Sequence, residues 1–193
     1  MNIVSIVVCG VGGQGILTAS DIISKIALKQ GYDVKKSEVH GMAQRGGSVI
    51  SEVRYGEKIY SPLITDGMAD FILSFEKLEA LRNLRRIKEK GTVIVNNYEI
   101  KPSSVLTGEF EYPSNIIERI KETDVELELI DGIALAEEAG SIRTVNTVLL
   151  GALAKRLEFP EELWLEATFE RVPEKTHEVN KKAFELGYNY SGG

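Results

Sequence analysis

Two glycine-rich segments hold the residues of this chain whose types and spacing suit chemistry. The first, Gly10-Val11-Gly12-Gly13-Gln14-Gly15, follows a β-branched apolar run from Ile3 to Cys9 and precedes a helical pattern that starts at Ile16. A strand that turns sharply into a helix needs positive φ, which glycine adopts without a Cβ clash. The missing side chains also let backbone N–H groups, and the positive end of the helix, approach an anion closely. In a strand–turn–helix context the G-x-G-x-x-G spacing marks Gly10, Gly12, Gly13, Gln14 and Gly15 as candidate cofactor-binding residues. Tight strand–helix packing would use the same glycines.

The second segment reads His40-Gly41-Met42-Ala43-Gln44-Arg45-Gly46-Gly47-Ser48. Gly46 and Gly47 allow close backbone approach, and the Arg45 guanidinium is a fork suited to phosphate or carboxylate. His40 and Gln44 add a switchable donor and an amide, and loops at the ends of strands carry binding residues disproportionately. A turn whose arginine makes an internal ion pair is the bland alternative. Asn146 is a third candidate, an amide set in the most apolar helical stretch, where it must either bond internally or face a ligand crevice.

A nicotinamide site would want an acid near the end of the second strand to hold a ribose. Glu38 qualifies, 23 residues beyond Gly15. Lys35 and Lys36 intervene, however, and no hydride-transfer acid follows downstream.

Composition excludes several classes. A net charge of −6 over 193 residues argues against a general nucleic-acid-binding field. The cluster Arg82, Arg85, Arg86, Lys88 and Lys90 reads as the solvated face of a helix, or else as a docking patch for an acidic partner. Cys9 is the single cysteine and His40 and His177 the two histidines, so neither an internal disulfide nor a cysteine-ligated cluster nor a zinc-type spacing is available. Cys9, at the end of an apolar strand, reads as a small core residue rather than a nucleophile. No apolar stretch is long enough to cross a membrane, and Met1-Asn2 leads into a strand without a signal-peptide pattern, which predicts a cytoplasmic protein.

The elements that must position these loops follow from periodicity. The expected order is a strand over Ile3–Cys9, a helix over Gly12–Gln30 ended by Gly31, and strands over Tyr32–Ser37 and Val49–Tyr55, the latter turning into a short partner at Ile59-Tyr60 as an antiparallel excursion. Next come a strand over Ala69–Phe75, a helix over Glu76–Lys90 with Leu78, Leu81, Leu84 and Ile87 inward, and a strand over Thr92–Asn96. Lys101–Tyr112 reads as irregular or hairpin-like. Ser114 would cap a helix to Lys121, and Val125–Ile130 is the last strand. Four helices follow: Ile133–Ala139, Thr144–Leu157, one beginning at Pro160, and one running to Leu186. Asp66 and Asp131 read as helix caps, and Trp164 as core or interface. Alternating strands and helices without a linker predict one three-layer, Rossmann-like α/β domain over residues 1–190, with a mostly parallel sheet, a helical C-terminal region and a flexible tail at 191–193.

Taken together, Gly10-x-Gly12-Gly13-Gln14-Gly15-Ile16, Gln44-Arg45-Gly46-Gly47-Ser48, Asn146-x-x-x-Leu150-Gly151-Ala152 and Asn180-x-x-Ala183-Phe184-x-x-Gly187 resemble the γ-type module of 2-oxoacid:ferredoxin oxidoreductases, in order and spacing from about Ile3 to Tyr190. The form of the His40–Gly47 loop is most similar to the small (β) subunits of the indolepyruvate branch. The resemblance implies a subunit of a heteromeric enzyme that oxidatively decarboxylates an aryl 2-oxoacid to an acyl-CoA and passes electrons to ferredoxin. It implies that thiamine diphosphate and the iron–sulfur clusters belong to a large partner subunit, and that coenzyme A is the co-substrate. Asn96-Asn97 indeed lacks the preceding Gly-Asp-Gly of a thiamine site. This chain would complete the active-site wall or the coenzyme A path, with no catalytic residue of its own. His40, Gln44, Arg45, Gly46, Gly47, Ser48 and Asn146 would contact substrate, coenzyme A or partner. Alternatives are a γ subunit for pyruvate, ketoisovalerate or 2-oxoglutarate, a stand-alone NAD(P)-binding protein, and a purely structural subunit.

Overall fold

The computed structural model describes residues 3–40 and 47–191. One six-stranded sheet organises them, in the order β2-β3-β1-β4-β5-β6. Its strands are β1 (Val4–Val11), β2 (Asp33–His40), β3 (Ser48–Gly56), β4 (Ala69–Ser74), β5 (Ile87–Asn96) and β6 (Glu126–Ile130). β3 runs antiparallel to both β1 and β2, while β1-β4, β4-β5 and β5-β6 are parallel pairs. The expected α/β class with a mostly parallel sheet is therefore the fold observed. The antiparallel excursion is real, but its partners are β1 and β2. Ile59 pairs with no strand: it is buried, and its N–H is donated to the Asp33 carboxylate at 2.9 Å.

Helices cover both faces unevenly. On one side α1 (Ile16–Lys29), α5 (Gly132–Ala139), α6 (Val145–Ala154), α7 (Glu161–Phe169) and α8 (His177–Tyr188) pack on Ile6, Val8, Val53, Leu73 and Ile94. On the other, α2 (Lys77–Asn83) and α4 (Ile116–Lys121) pack on Val7, Cys9, Ile72, Val93 and Val95. α3 (Ser103–Leu106) is a single turn between β5 and α4. Consecutive residues of β1 thus feed opposite cores, which is why its apolar run does not alternate.

α6 is buried all round from Thr147 to Ala154, as its continuous apolar sequence predicts. It crosses α8 at a backbone contact where Cβ atoms on Gly151 or Gly187 would overlap the Phe184 and Val148 carbonyl oxygens. Thr147 Oγ1 donates to Asn180 Oδ1 at 2.7 Å beside that contact, and Asn180 Nδ2 donates to the Thr176 carbonyl at 2.9 Å.

Several boundaries differ from the expectation. The helix expected to reach Lys90 stops at Asn83, whose amide donates back to the Glu79 carbonyl, a side-chain bond that competes with helix continuation. A 3₁₀ turn follows over Leu84–Arg86, and β5 already begins at Ile87 beside Ala69. The apolar stripe does face inward, since Leu84 and Ile87 still pack on the second core from a turn and a strand. Asn115, not Ser114, precedes α4. Asp131 does cap α5, accepting from Ala134 N at 3.0 Å, whereas Asp66 pairs with Arg85. The basic cluster is not a plain solvated face. Arg82, Arg85, Arg86 and Lys88 pair with Glu79, Asp66, Glu52 and Asp70, and Glu52 is buried. Among the described residues no helix is long and apolar enough to cross a membrane.

Candidate functional site

At the carboxyl ends of β1, β4 and β5 the connections leave in opposite directions: β1 leads to α1 on one face and β4 to α2 on the other. Open α/β sheets bind ligands in the crevice this reversal creates. The first glycine segment crosses that crevice. Gly13 and Gly15 have φ of 102° and 89°, and Gly15 precedes the first residue of α1 with no side-chain cap and no acid in the first turn. The amides of Gly13 and Gly15 have no backbone acceptor among the described residues, so they and the helix start remain open to an anion.

The other members of the motif are committed internally. Gln14 Oε1 accepts from Val11 N at 2.7 Å, and Gln14 Nε2 donates to the Phe75 carbonyl at 3.0 Å, clamping β1 to the end of β4. Gly10 is a packing glycine: a Cβ there would stand 2.8 Å from both Gln14 Oε1 and the Phe75 Cβ. Gly12 N–H donates to the Gly47 carbonyl at 2.9 Å. This bond joins the two glycine segments into one surface, because β3 runs back along β1 with Val11 opposite Ser48.

Two clefts flank that surface, sharing Gly12 and Gly13. One, of 340 Å³, lies against Ile16, Thr18 and Val49. The other, of 390 Å³, is bounded by Asn96, Tyr98, Ile142, Arg143 and Asn146. The Asn146 side chain is half-buried over Gly15, where a Cβ would lie 3.3 Å from its Nδ2. The predicted pair, glycine loop and Asn146, is therefore brought together. Arg143, one helical turn before Asn146, was not expected. It is exposed and makes no ion pair among the described residues, and an arginine one turn from a predicted amide was the signal available. Gln44, Arg45 and Gly46 lie outside the described residues, as does the side chain of His40.

Buried carboxylates hold the neighbouring loops. Glu76 Oε2 accepts from Glu79 N at 2.9 Å, and its Oε1 accepts from Ile100 N at 3.2 Å and from the Tyr112 hydroxyl at 2.5 Å. Burial and that carboxylate push the Tyr112 phenol above its usual range. Glu79 Oε2 accepts from Ser48 Oγ at 2.5 Å, so the Ser48 hydroxyl anchors the second loop. Asn96, fully buried, donates to the Phe75 carbonyl at 3.2 Å and accepts from Gly132 N at 3.0 Å. Cys9 is buried beside this network, and burial pushes its thiol up to about 12, in keeping with a core residue.

Glu38 does not stand where a ribose acid would. β3 separates β2 from β1, and Glu38 pairs with Lys36 at 2.6 Å.

Residues 5–190 match the family model of pyruvate ferredoxin/flavodoxin oxidoreductase. The chain belongs to this family. Among family members with curated names, indolepyruvate oxidoreductase subunit IorB of Thermococcus kodakarensis is 47% identical over 188 residues, covering 95% of this chain and 93% of that one. Among solved structures, the keto/oxoacid ferredoxin oxidoreductase gamma subunit of Geobacter sulfurreducens superposes with a TM-score of 0.72 at 26% identity, covering 96% of each chain. The fold also recurs within a far longer chain, a 2-oxoglutarate:ferredoxin oxidoreductase of Magnetococcus marinus (TM-score 0.74, 22% identity), where this chain spans 32% of the length. The fold thus occurs both as a separate chain and as a segment of a longer polypeptide.

Proposed function

We propose that this chain is the small subunit of a heteromeric indolepyruvate:ferredoxin oxidoreductase. The complex would oxidatively decarboxylate an aryl 2-oxoacid, form the acyl-CoA and pass the electrons to ferredoxin. The observation that carries this reading is the 47% identity to a subunit of that name across nearly the whole of both chains. Thiamine diphosphate and the iron–sulfur clusters reside on the large partner. A single cysteine, buried in β1, supports this assignment.

The part played by this chain is binding and shielding. The open amides of Gly13 and Gly15, the start of α1, and Arg143 and Asn146 form a surface suited to the phosphates of coenzyme A. His40, Gln44, Arg45, Gly46 and Gly47 contact substrate, coenzyme A or partner, and Ser48 is held by Glu79. The module acts as one domain over residues 1–190 in the cytoplasm.

Co-expression with the large subunit tests the reading. Indolepyruvate-dependent, coenzyme A-requiring viologen reduction is expected of the complex alone. Reduction by the isolated chain, or failure to assemble with a cofactor-bearing partner, would overturn it. A complex that prefers pyruvate or 2-oxoglutarate would move the substrate to another branch. Tight NADH binding by the isolated chain would favour a stand-alone nucleotide-binding protein.

A further inference from the structure

β2 is one of the two edges of the sheet: among the described residues, Asp33–His40 pair with β3 on one side only. Edge strands present unpaired backbone groups, and charged side chains ordinarily keep a second strand away. Here the charges alternate in sign. Lys36 and Glu38 share one face, where Lys36 pairs with Glu38 and with Asp21 of α1. The other face carries Lys35, Ser37 and Val39. Val39 is 55% exposed, at the end of the sheet beyond the strands that α2 covers.

Side chains alternate between faces along a strand. A two-fold axis that joins two copies of an edge strand stands perpendicular to the sheet, so residues that meet across it must share a face. Every allowed antiparallel register is therefore centred on one residue. Centred on Lys36, two lysines collide at the axis; centred on Glu38, two glutamates do. Centred on Ser37, each Lys36 meets the other copy's Glu38 on one face, and Lys35 meets Val39 on the other. Opposite charges directly across a strand pair stabilise it, and like charges destabilise it. The residues that repel in the registers centred on Lys36 and on Glu38 thus attract in this one.

We propose that two copies of this chain pair antiparallel through β2 in the register centred on Ser37, fusing their six-stranded sheets into one. Sedimentation velocity on the full chain should show a dimer. Lys36→Glu and Glu38→Lys should each weaken self-association by about tenfold or more, since each sets like charges opposite one another at two places. An equimolar mixture of the two variants should restore a dimer with one chain of each kind, because every cross-strand pair then joins opposite charges again. A monomeric wild-type chain, unchanged association of the single variants, or no rescue in the mixture would each overturn the proposal.

Lys36→Glu also faces Asp21, so a second measurement keeps the test decisive if that variant folds poorly. Ser37→Cys should oxidise to a disulfide-linked dimer, both in the free chain and in the complex with the large subunit, while Lys35→Cys should not. Cys9 is buried and contributes no background. Absence of the Ser37→Cys cross-link, or an equal yield from Lys35→Cys, would overturn the pairing.

Discussion

Gly151 of α6 and Gly187 of α8 sit where the two helices pack so closely that a Cβ on Gly151 would strike the Phe184 carbonyl of α8 and one on Gly187 the Val148 carbonyl of α6. Neither glycine is there for a turn; both are helical, where glycine costs about 1 kcal/mol relative to alanine. That cost is recovered in the approach of the two helices, which closes the thick side of the sheet.

Gly187→Ala is accordingly expected to destabilise, not to give the usual gain of a helical Gly→Ala change. Helix separation or backbone shift should cost about 2–4 kcal/mol. A urea midpoint no lower than that of the parent would show that the helices can part without penalty. Gly151→Ala should behave alike, and the double variant should cost less than the sum, because one separation relieves both overlaps.

Asn96 ties three elements at the crevice, donating to Phe75 and accepting from Gly132. Asn96→Asp keeps the shape but sets a carboxylate oxygen against the Phe75 carbonyl. A loss of about 2–3 kcal/mol near neutral pH is expected. The new acid would have a raised pKa in the fold, so its penalty should shrink as pH falls and the protonated form regains a donor. A penalty constant between pH 7 and pH 5 would count against this account.

The Cys9 thiol is raised from 9.0 to about 12 by burial. In the folded chain it should resist thiol reagents at pH 8 and react stoichiometrically once unfolded. Above pH 9 the unfolded chain releases this proton and the folded chain retains it, so stability should fall as pH rises from 9 toward 12. Cys9→Ala should make that alkaline decline shallower; an unchanged slope would assign it to other groups.

Two buried polar atoms, Trp164 Nε1 and Thr168 Oγ1, have no hydrogen-bond partner among the described residues. Thr168→Val removes one orphan at nearly constant volume. It should leave stability unchanged or raise it by up to about 1 kcal/mol. A clear loss on thermal unfolding would mean that the hydroxyl is satisfied in solution.

At the proposed site, Arg143→Ala in the assembled enzyme should raise the KM for coenzyme A by about tenfold, with kcat little changed, as expected when an ion pair to an anionic ligand is lost from ground and transition state alike. An unaltered KM would remove Arg143 from the binding surface.

Much of this architecture was legible from residue order. The apolar runs of β1, β4 and β5 and the unbroken apolar core of α6 announce elements covered on all sides, and the Gly10–Gly15 spacing locates the crevice. The limits of α2 were not legible. Leu78, Leu81, Leu84 and Ile87 keep a helical interval, while a side-chain bond from Asn83 and the pairing of Ile87 with Ala69 end the helix early. Nor does the glycine motif say which of its members face a ligand. That Gln14 clamps Phe75, and that Gly12 is bonded to Gly47, depends on a strand order in which β3 separates β1 from β2. Arg143 reaches the cleft through a 3₁₀ turn that periodicity does not reveal.

The apolar cluster on the thick side unites Ile6, Ile16 and Ile23 with Trp164 and Phe184. The inward stripe of α1 and the helices α6 and α7 that cover it lie more than a hundred residues apart in sequence. The thick side of the sheet is thus closed by non-local contacts, which must meet loop-closure entropy before packing rewards them, and its docking is expected to be the slow step of folding.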